Sequence, residues 1–230
     1  MCYTIEINLT REQLEKRFNA TLNKNLPYRK QQRANAFSLP DCPVVTSENP
    51  NEIVLKTWGL IPKWVKDEAY ARNIRTKTFN AKSETLLDKP SFRHTVQAQK
   101  CLVLTNGFYE WQTRNKFKQP YFIGVKDEEA FALAGLYDNW TNRETGELLS
   151  TFTIITTRAN PMMEEIHNTK KRMPVILSRK DEETWIDPEL QVDKSLSYLK
   201  PYEEKRMFAE EVDKALFKRS KKGDSEPSLF

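Results

Sequence analysis

Four segments in the middle of the chain have the composition of β-strands. Residues 101–111, 121–125, 130–140 and 148–158 are apolar or alternate apolar with polar residues. Short polar or acidic segments, 127–129 and 141–147, separate the last three, as expected of connections between neighbouring strands. The sequence therefore predicts a run of antiparallel strands.

A carboxylate, Glu110, lies inside the first of these segments. Residues 102–104 predict a buried strand, and Phe108, Tyr109 and Trp111 place aromatic rings on either side of the acid. Removing water from a carboxylate raises its pKa and allows it to transfer protons near neutral pH. Glu110 is therefore a candidate acid–base residue, and the alternative is a strand-end glutamate that points to water.

The chain begins Met1-Cys2, and aminopeptidases remove an initiator methionine that precedes a small residue. Cys2 would then carry both an α-amine, with an unperturbed pKa of about 7.7–8.0, and a thiol, with one of about 8.5, so each has a reactive fraction at neutral pH. An aldehyde would form a Schiff base with the amine, and the thiolate could close a thiazolidine ring. The alternative is that Cys2 is simply a small hydrophobic residue.

The N-terminal region predicts a strand followed by a helix. Residues 2–9 alternate in the manner of a half-buried strand. Thr10 and Gln13 then form a capping box, and apolar residues recur at helical spacing from Leu14 to Leu22.

Charge and aromatic residues suggest an anionic partner without proving one. Thirty-seven Lys and Arg exceed 32 Asp and Glu, which gives a net charge of +5 and a pI near 9.0. A cationic segment is suited to contact a phosphate backbone, and the alternative is a solvated face. Two tryptophans near a Trp-Gly turn could stack on bases or could belong to the core. These residues are Arg72, Arg75, Lys77 and Lys82, with Trp58 and Trp64.

Cysteine and histidine usage predicts no metal and no cofactor. Cys2, Cys42 and Cys101 have no CxxC spacing, and there are two histidines, of which His167 lies near the end of a predicted helix, 161–168. The dipole at a helix C-terminus favours a protonated imidazole. No apolar run is long enough for a membrane span and no signal peptide is apparent, so we expect a soluble cytoplasmic protein in a reducing compartment.

Five separated segments resemble the SOS-response-associated peptidase (SRAP) family of abasic-site processing proteins. They are Met1-Cys2, WGLIP at 58–62, NAKSET at 80–85, GFYEW at 107–111, and Ile166-His167 with RMPVIL at 172–177. The resemblance implies an α+β, β-rich single domain of curved, barrel-like antiparallel sheets with peripheral helices. We place this domain at residues 1–218 and a flexible tail at 219–230.

The resemblance also implies a DNA-repair function linked to the SOS response. Mature Cys2 would crosslink covalently to the ring-opened sugar of an abasic site in single-stranded DNA, Asn80 would hold the reacting terminus, and Glu110 and His167 would manage protons. Lyase-type strand cleavage and self-removal of Met1, a hydrolase (protease) activity, are further implications. We predict DNA contacts at Arg72, Arg75, Lys77, Lys82, Trp58, Trp64, Pro40 and Arg172.

This sequence departs from the family pattern at three places, one of which is the gap of four residues between His167 and Arg172, longer than the pattern leads us to expect. Tyr3-Thr4 stands where many members have Gly-Arg, and Lys82 stands where Arg is common, which removes a planar bidentate donor. Two other functions remain open: an N-terminal-nucleophile amidohydrolase, and a non-covalent reader of modified single-stranded DNA. We expect a monomer that joins the nucleoid when bound to DNA.

Overall fold

The computed structural model describes residues 1–217, which form two β-sheets with short helices at their edges. The strands are β1 (Thr4–Ile7), β2 (Thr21–Leu22), β3 (Gln31–Asn35), β4 (Asp41–Thr46), β5 (Glu52–Trp58), β6 (Asn80–Lys82), β7 (Lys100–Thr105), β8 (Gly107–Arg114), β9 (Phe117–Val125), β10 (Phe131–Thr141), β11 (Leu148–Arg158), β12 (Arg172–Pro174) and β13 (Met207–Glu211). The α-helices are α1 (Arg11–Phe18), α2 (Glu68–Arg75), α3 (Thr95–Ala98), α4 (Pro161–Ile166), α5 (Arg179–Ile186) and α6 (Val192–Leu196). The predicted β-rich α+β fold is confirmed.

One sheet closes into a five-stranded barrel. Strands β11, β10, β7, β4 and β5 pair antiparallel in that order, and β5 returns to pair parallel with β11. The closing register joins Thr57 with Thr151 and Trp58 with Phe152. Outside these five strands, β2 pairs with β5, and β6 and β12 each pair with β11. Because a closed barrel has fewer free sheet edges, most of its backbone groups are paired within the ring.

The second sheet is fully antiparallel and has the order β13-β9-β8-β1-β3. It places β1, which follows Cys2, directly beside β8, which carries Glu110, with Thr4 opposite Tyr109. A buried core that includes Cys2, Ile5 and Phe108 also contains barrel residues such as Phe152. Cys2 therefore lies where this sheet meets the barrel.

The predicted capping box is confirmed, but the helix that it starts is shorter than the pattern suggested. Gln13 N–H donates to Thr10 Oγ1 at 3.2 Å, and the Gln13 side chain accepts from the Thr10 N–H at 2.6 Å. Asn19 adopts a left-handed conformation, with φ of 48°, and ends α1. Leu22 was predicted on the helix and instead lies buried on β2.

Within residues 1–217, no helix is long and apolar enough to cross a membrane. The predicted tail, residues 219–230, lies outside the described part of the chain, as does residue 218, where the predicted domain ends.

Candidate functional site

The N-terminal amine, Glu110 and His167 meet in one small region. The Met1 nitrogen lies 3.6 Å from Glu110 Oε1 and 3.1 Å from His167 Nε2. His167 Nε2 lies 3.9 Å from Glu110 Oε2. Three proton-exchanging groups, separated by up to 166 positions in the chain, are thus in contact or nearly so. With Met1 present, it is the Met1 amine that occupies this position.

Glu110 is the buried acid that the sequence predicted. Its strand, β8, has neighbours on both sides, and the residue is 3 % exposed. Burial raises the pKa of Glu110 to about 7, and the nearby amine only partly opposes this effect. Its Oε1 has no hydrogen-bond partner within residues 1–217, since the 3.6 Å approach of the amine is an ion pair beyond hydrogen-bond range. Glu110 can therefore both accept and donate a proton near pH 7.

His167 lies immediately after α4, and its ring has a defined orientation. Its Nδ1 lies 2.8 Å from the carbonyl oxygen of Arg172, which can only accept a hydrogen bond. Nδ1 therefore carries the proton, and Nε2 is left as an acceptor facing the amine. Burial, followed by the N-terminal cation, lowers the pKa of His167 to about 4. The expectation of a protonated imidazole is wrong here, because burial outweighs the helix dipole.

Asn80 holds the N-terminal segment from the other side. The strand β6 pairs with β11, and Asn80 Nδ2 donates to the Cys2 carbonyl at 2.8 Å. Its Oδ1 is buried and has no partner in the described chain. A buried polar atom without a partner costs free energy, so this oxygen and Glu110 Oε1 mark a place where a ligand can bind.

Cys2 is fully buried, and this changes the sequence-based view of its thiol. Its Sγ lies 3.9 Å from the carbonyl oxygen of Thr4, and burial raises the thiol pKa well above its usual range. Burial also lowers the pKa of the Met1 amine. The expectation that the Cys2 thiol resembles a free one at neutral pH is wrong, because burial favours its neutral form. The α-amine that Cys2 would carry after loss of Met1 stays a prediction.

The structure separates the two tryptophans that were predicted to contact DNA. Trp58 is fully buried, stacks on Phe152 at 5.9 Å, and donates from Nε1 to the Phe79 carbonyl at 2.8 Å. It cannot stack on a base, and instead fixes the segment just before Asn80. Trp64 is 40 % exposed and lies 6.0 Å from the Tyr70 ring, so it remains available for a base.

The predicted phosphate-binding residues differ in their environments. Arg72 is exposed and pairs with Glu68 one helical turn away, while Arg75 is half-buried. Lys77 is exposed and donates to Asn73. These three residues lie on α2 or just after it.

Three further predicted contacts lie close to Asn80 or Trp58. Lys82 is exposed, two residues after Asn80, and has no ion-pair partner in residues 1–217. Arg172 makes a bidentate pair with Glu84 at 2.6 and 2.9 Å, so its charge is already neutralised. The half-buried Pro40 accepts a hydrogen bond from the Trp58 N–H at 3.0 Å.

Three exposed residues near the site were not singled out by the sequence. Lys118 and Lys170 line a cavity of about 250 Å³ together with Glu110 and His167. Phe37 is 67 % exposed, and its ring lies 5.2 Å from that of Tyr3, the residue after Cys2. Tyr3 itself also lines the cavity.

A family model described as SOS response associated peptidase (SRAP) matches residues 1–219. The chain belongs to the SRAP family. Among SRAP relatives, the abasic site processing protein YoqW of Bacillus subtilis is 41 % identical over 171 residues, which cover 74 % of this chain and 73 % of YoqW. The abasic site processing protein HMCES of Gallus gallus is 35 % identical over 167 residues, covering 64 % of this chain and 48 % of HMCES.

The architecture is likewise similar to that of a solved structure. A crystal structure of a protein from Bacteroides thetaiotaomicron superposes with a TM-score of 0.91 at 37 % identity, covering 95 % of both chains. The barrel and its flanking sheet are therefore the SRAP architecture.

Proposed function

We propose that this protein processes abasic sites in single-stranded DNA by forming a covalent bond through Cys2 after Met1 has been removed. The observation that carries the proposal is the contact of the Met1 amine, one residue before Cys2, with Glu110 and His167, while Asn80 holds the Cys2 carbonyl. Relatives of this chain are named abasic site processing proteins, and an abasic sugar in its ring-opened form presents an aldehyde.

The first step is Schiff-base formation. The Cys2 amine must lose a proton before it attacks the aldehyde carbon, and Glu110, with a pKa of about 7, can accept it. The addition gives a carbinolamine, whose hydroxyl must gain a proton before it leaves as water. The same carboxyl can donate that proton. In this structure His167 Nε2 lies 3.1 Å from the Met1 amine, and Nδ1 carries the ring proton. After loss of Met1, the same Nε2 can accept a hydrogen bond from the Cys2 amine and so direct the lone pair of the amine nitrogen at the sugar.

The second step closes the ring. The Cys2 S–H adds across the C=N bond, with sulfur bonding to the former aldehyde carbon and the proton going to nitrogen. Burial and a raised pKa make this thiol unreactive toward molecules in solution. Ring closure is still possible because the thiol and the imine nitrogen belong to the same residue, so the reaction is intramolecular. The product is a thiazolidine that shields the lesion. Strand cleavage would follow from the Schiff base instead, by loss of the 3′ phosphate.

An amidohydrolase or self-processing activity receives less support from this geometry. Both require Cys2 Sγ to attack an amide carbonyl as a thiolate, and burial of the thiol favours the neutral form. A purely non-covalent reader of DNA would not need a carboxylate of raised pKa beside the N-terminal amine. Crosslinking, in contrast, requires the N-terminal amine, the carboxyl of Glu110 and the thiol of Cys2.

The test is to mix the protein with a single-stranded oligonucleotide that contains one abasic site. We expect a heat-stable adduct on a denaturing gel, with an intact mass equal to Met1-free protein plus DNA minus one water. Cys2→Ala should give no stable adduct, and Cys2→Ser at most a Schiff base that borohydride can trap. An oligonucleotide with a tetrahydrofuran analogue, which has no aldehyde, is the control. Absence of an adduct from protein whose mass confirms a free Cys2 terminus would refute the proposal.

A further inference from the structure

A cavity of about 250 Å³ leads from the surface to the acid–base residues. Its inner part is formed by Glu110 and His167, which are 3 % and 7 % exposed, and its outer part by the exposed Lys118 and Lys170. Two threonines, Thr113 and Thr169, complete the rim. Among residues 1–217, Glu110 is the one carboxylate that lines it.

Lys118 and Lys170 are carried by backbone that is held in place. Lys118 lies on β9 directly opposite Thr113 of β8. Lys170 lies in the turn after α4, where the N–H groups of Lys170 and Lys171 both donate to the His167 carbonyl, at 3.2 and 2.8 Å.

A reciprocal pair of hydrogen bonds ties this turn to β8. Asn168 Nδ2 donates to the Thr113 carbonyl at 2.9 Å, and the Thr113 N–H donates to Asn168 Oδ1 at 3.1 Å. The two lysines are thus attached to elements that are fixed to each other, and they face one opening.

No ion pair within residues 1–217 neutralises the charges at this opening. Neither Lys118 nor Lys170 has an ion-pair partner in the described chain, whereas the adjacent Lys171 pairs with Glu164 at 3.7 Å. Two ammonium groups and two hydroxyl groups form a donor set that suits the oxygens of a phosphate. A sugar bonded at the inner end of the cavity would place a phosphate of its own strand near the rim.

We propose that Lys118 and Lys170 form a phosphate subsite, which holds the DNA backbone phosphate adjoining the abasic sugar and so positions the aldehyde at the N-terminal amine. This inference rests on the proposed function, because it takes the anion to be a phosphodiester of the reacting strand. Both lysines are positioning residues, since they contact the strand and not the reacting carbon.

The experiment combines Lys118→Gln/Lys170→Gln with oligonucleotides in which the phosphate 5′ or 3′ of the abasic site is an uncharged methylphosphonate. The double variant should need about tenfold more DNA for half-maximal crosslinking rate, with its maximal rate within about twofold of the parent's. The slope of log affinity against log salt should become shallower by about 0.7 for each lysine removed. One of the two methylphosphonates should weaken binding by the parent but not further weaken binding by the double variant.

Lys171→Gln is the matched control, because it removes a neighbouring charge that is already paired, and it should stay within about twofold of the parent. Two results would overturn the subsite. One is a folded double variant whose log affinity depends on log salt with the parent's slope. The other is a loss of affinity on methylphosphonate substitution that is the same, at both positions, for the parent and the double variant. If the parent forms no crosslink, the proposed function fails separately. Anisotropy binding to oligonucleotides with a reduced abasic site then tests the subsite with the same variants.

Discussion

The side-chain amide of Asn80 donates a hydrogen bond of 2.8 Å to the backbone carbonyl of Cys2, 78 positions away in the chain. This bond joins the edge of the barrel to the first residues of the other sheet. Because it acts on the backbone of Cys2, we propose that it orients the amine and thiol of that residue without taking part in proton transfer.

Asn80→Ala should therefore slow crosslinking while leaving the acid–base residues intact. Loss of one hydrogen bond to a buried carbonyl costs about 1–3 kcal/mol, which corresponds to roughly a five- to 150-fold change. Asn80→Asp should be slower still, because a carboxylate oxygen would face the Cys2 carbonyl oxygen. The measurement is a single-turnover crosslinking time course at saturating DNA. Equal rates for parent and both variants would show that the bond does not orient the terminus.

Glu110→Gln should slow crosslinking by about 10²–10⁴-fold, the usual contribution of general acid–base catalysis. The amide keeps the size and polarity of the side chain but cannot exchange a proton with the amine or the carbinolamine. Folding is checked by thermal melting. A folded variant that reacts at the parent rate would assign the proton transfers to another group.

The same substitution should alter how stability depends on pH. The pKa of Glu110 is about 7 in the folded chain against an ordinary value of 4.5. Between these values the folded chain binds a proton that the unfolded chain has released, so the contribution of Glu110 to the free energy of unfolding falls as pH rises from about 4.5 through 7.

The Glu110→Gln variant has no carboxyl at this position, so its free energy of unfolding does not show this fall with rising pH. Its free energy of unfolding relative to the parent should rise from pH 5 to pH 8, by up to about 3 kcal/mol. Urea titrations at each pH provide the measurement. A difference between variant and parent that is the same at pH 5 and pH 8 would contradict a buried acid with a raised pKa.

His167→Ala should reduce strand cleavage more than crosslinking. Glu110 alone can serve the proton transfers of Schiff-base formation, whereas cleavage requires a further base to remove a proton from the sugar, and the neutral Nε2 of His167 faces that region. The measurement is the ratio of cleaved to crosslinked DNA over time. An unchanged ratio would restrict His167 to holding the N-terminus.

The sequence predicted the acid of the site better than its surroundings. Glu110 is predictable because its apolar and aromatic neighbours indicate a buried strand, so its carboxylate is expected to be buried as well. Trp58 was ambiguous, because residues at a Trp-Gly turn have no periodicity that assigns them a face, and only the closure of β5 on β11 buries the ring.

Other properties depend on contacts between distant segments. The sequence places His167 at a helix end, but its pKa is set by burial and by an amine 166 positions away. Lys118 and Lys170 lie in a β-strand and in a turn that no sequence pattern connects. The Asn168–Thr113 bonds that bring them together are visible only in three dimensions.

The contact between Met1 and His167 also has a consequence for the order of events during synthesis. The N-terminus leaves the ribosome first, and at about 5–20 residues per second His167 follows roughly ten to thirty seconds later. During that interval the amine is in water and open to an aminopeptidase, and afterwards its contacts with Glu110 and His167 partly bury it. Adding an aminopeptidase to Met1-retaining protein should therefore remove the methionine faster from the unfolded chain than from the folded one.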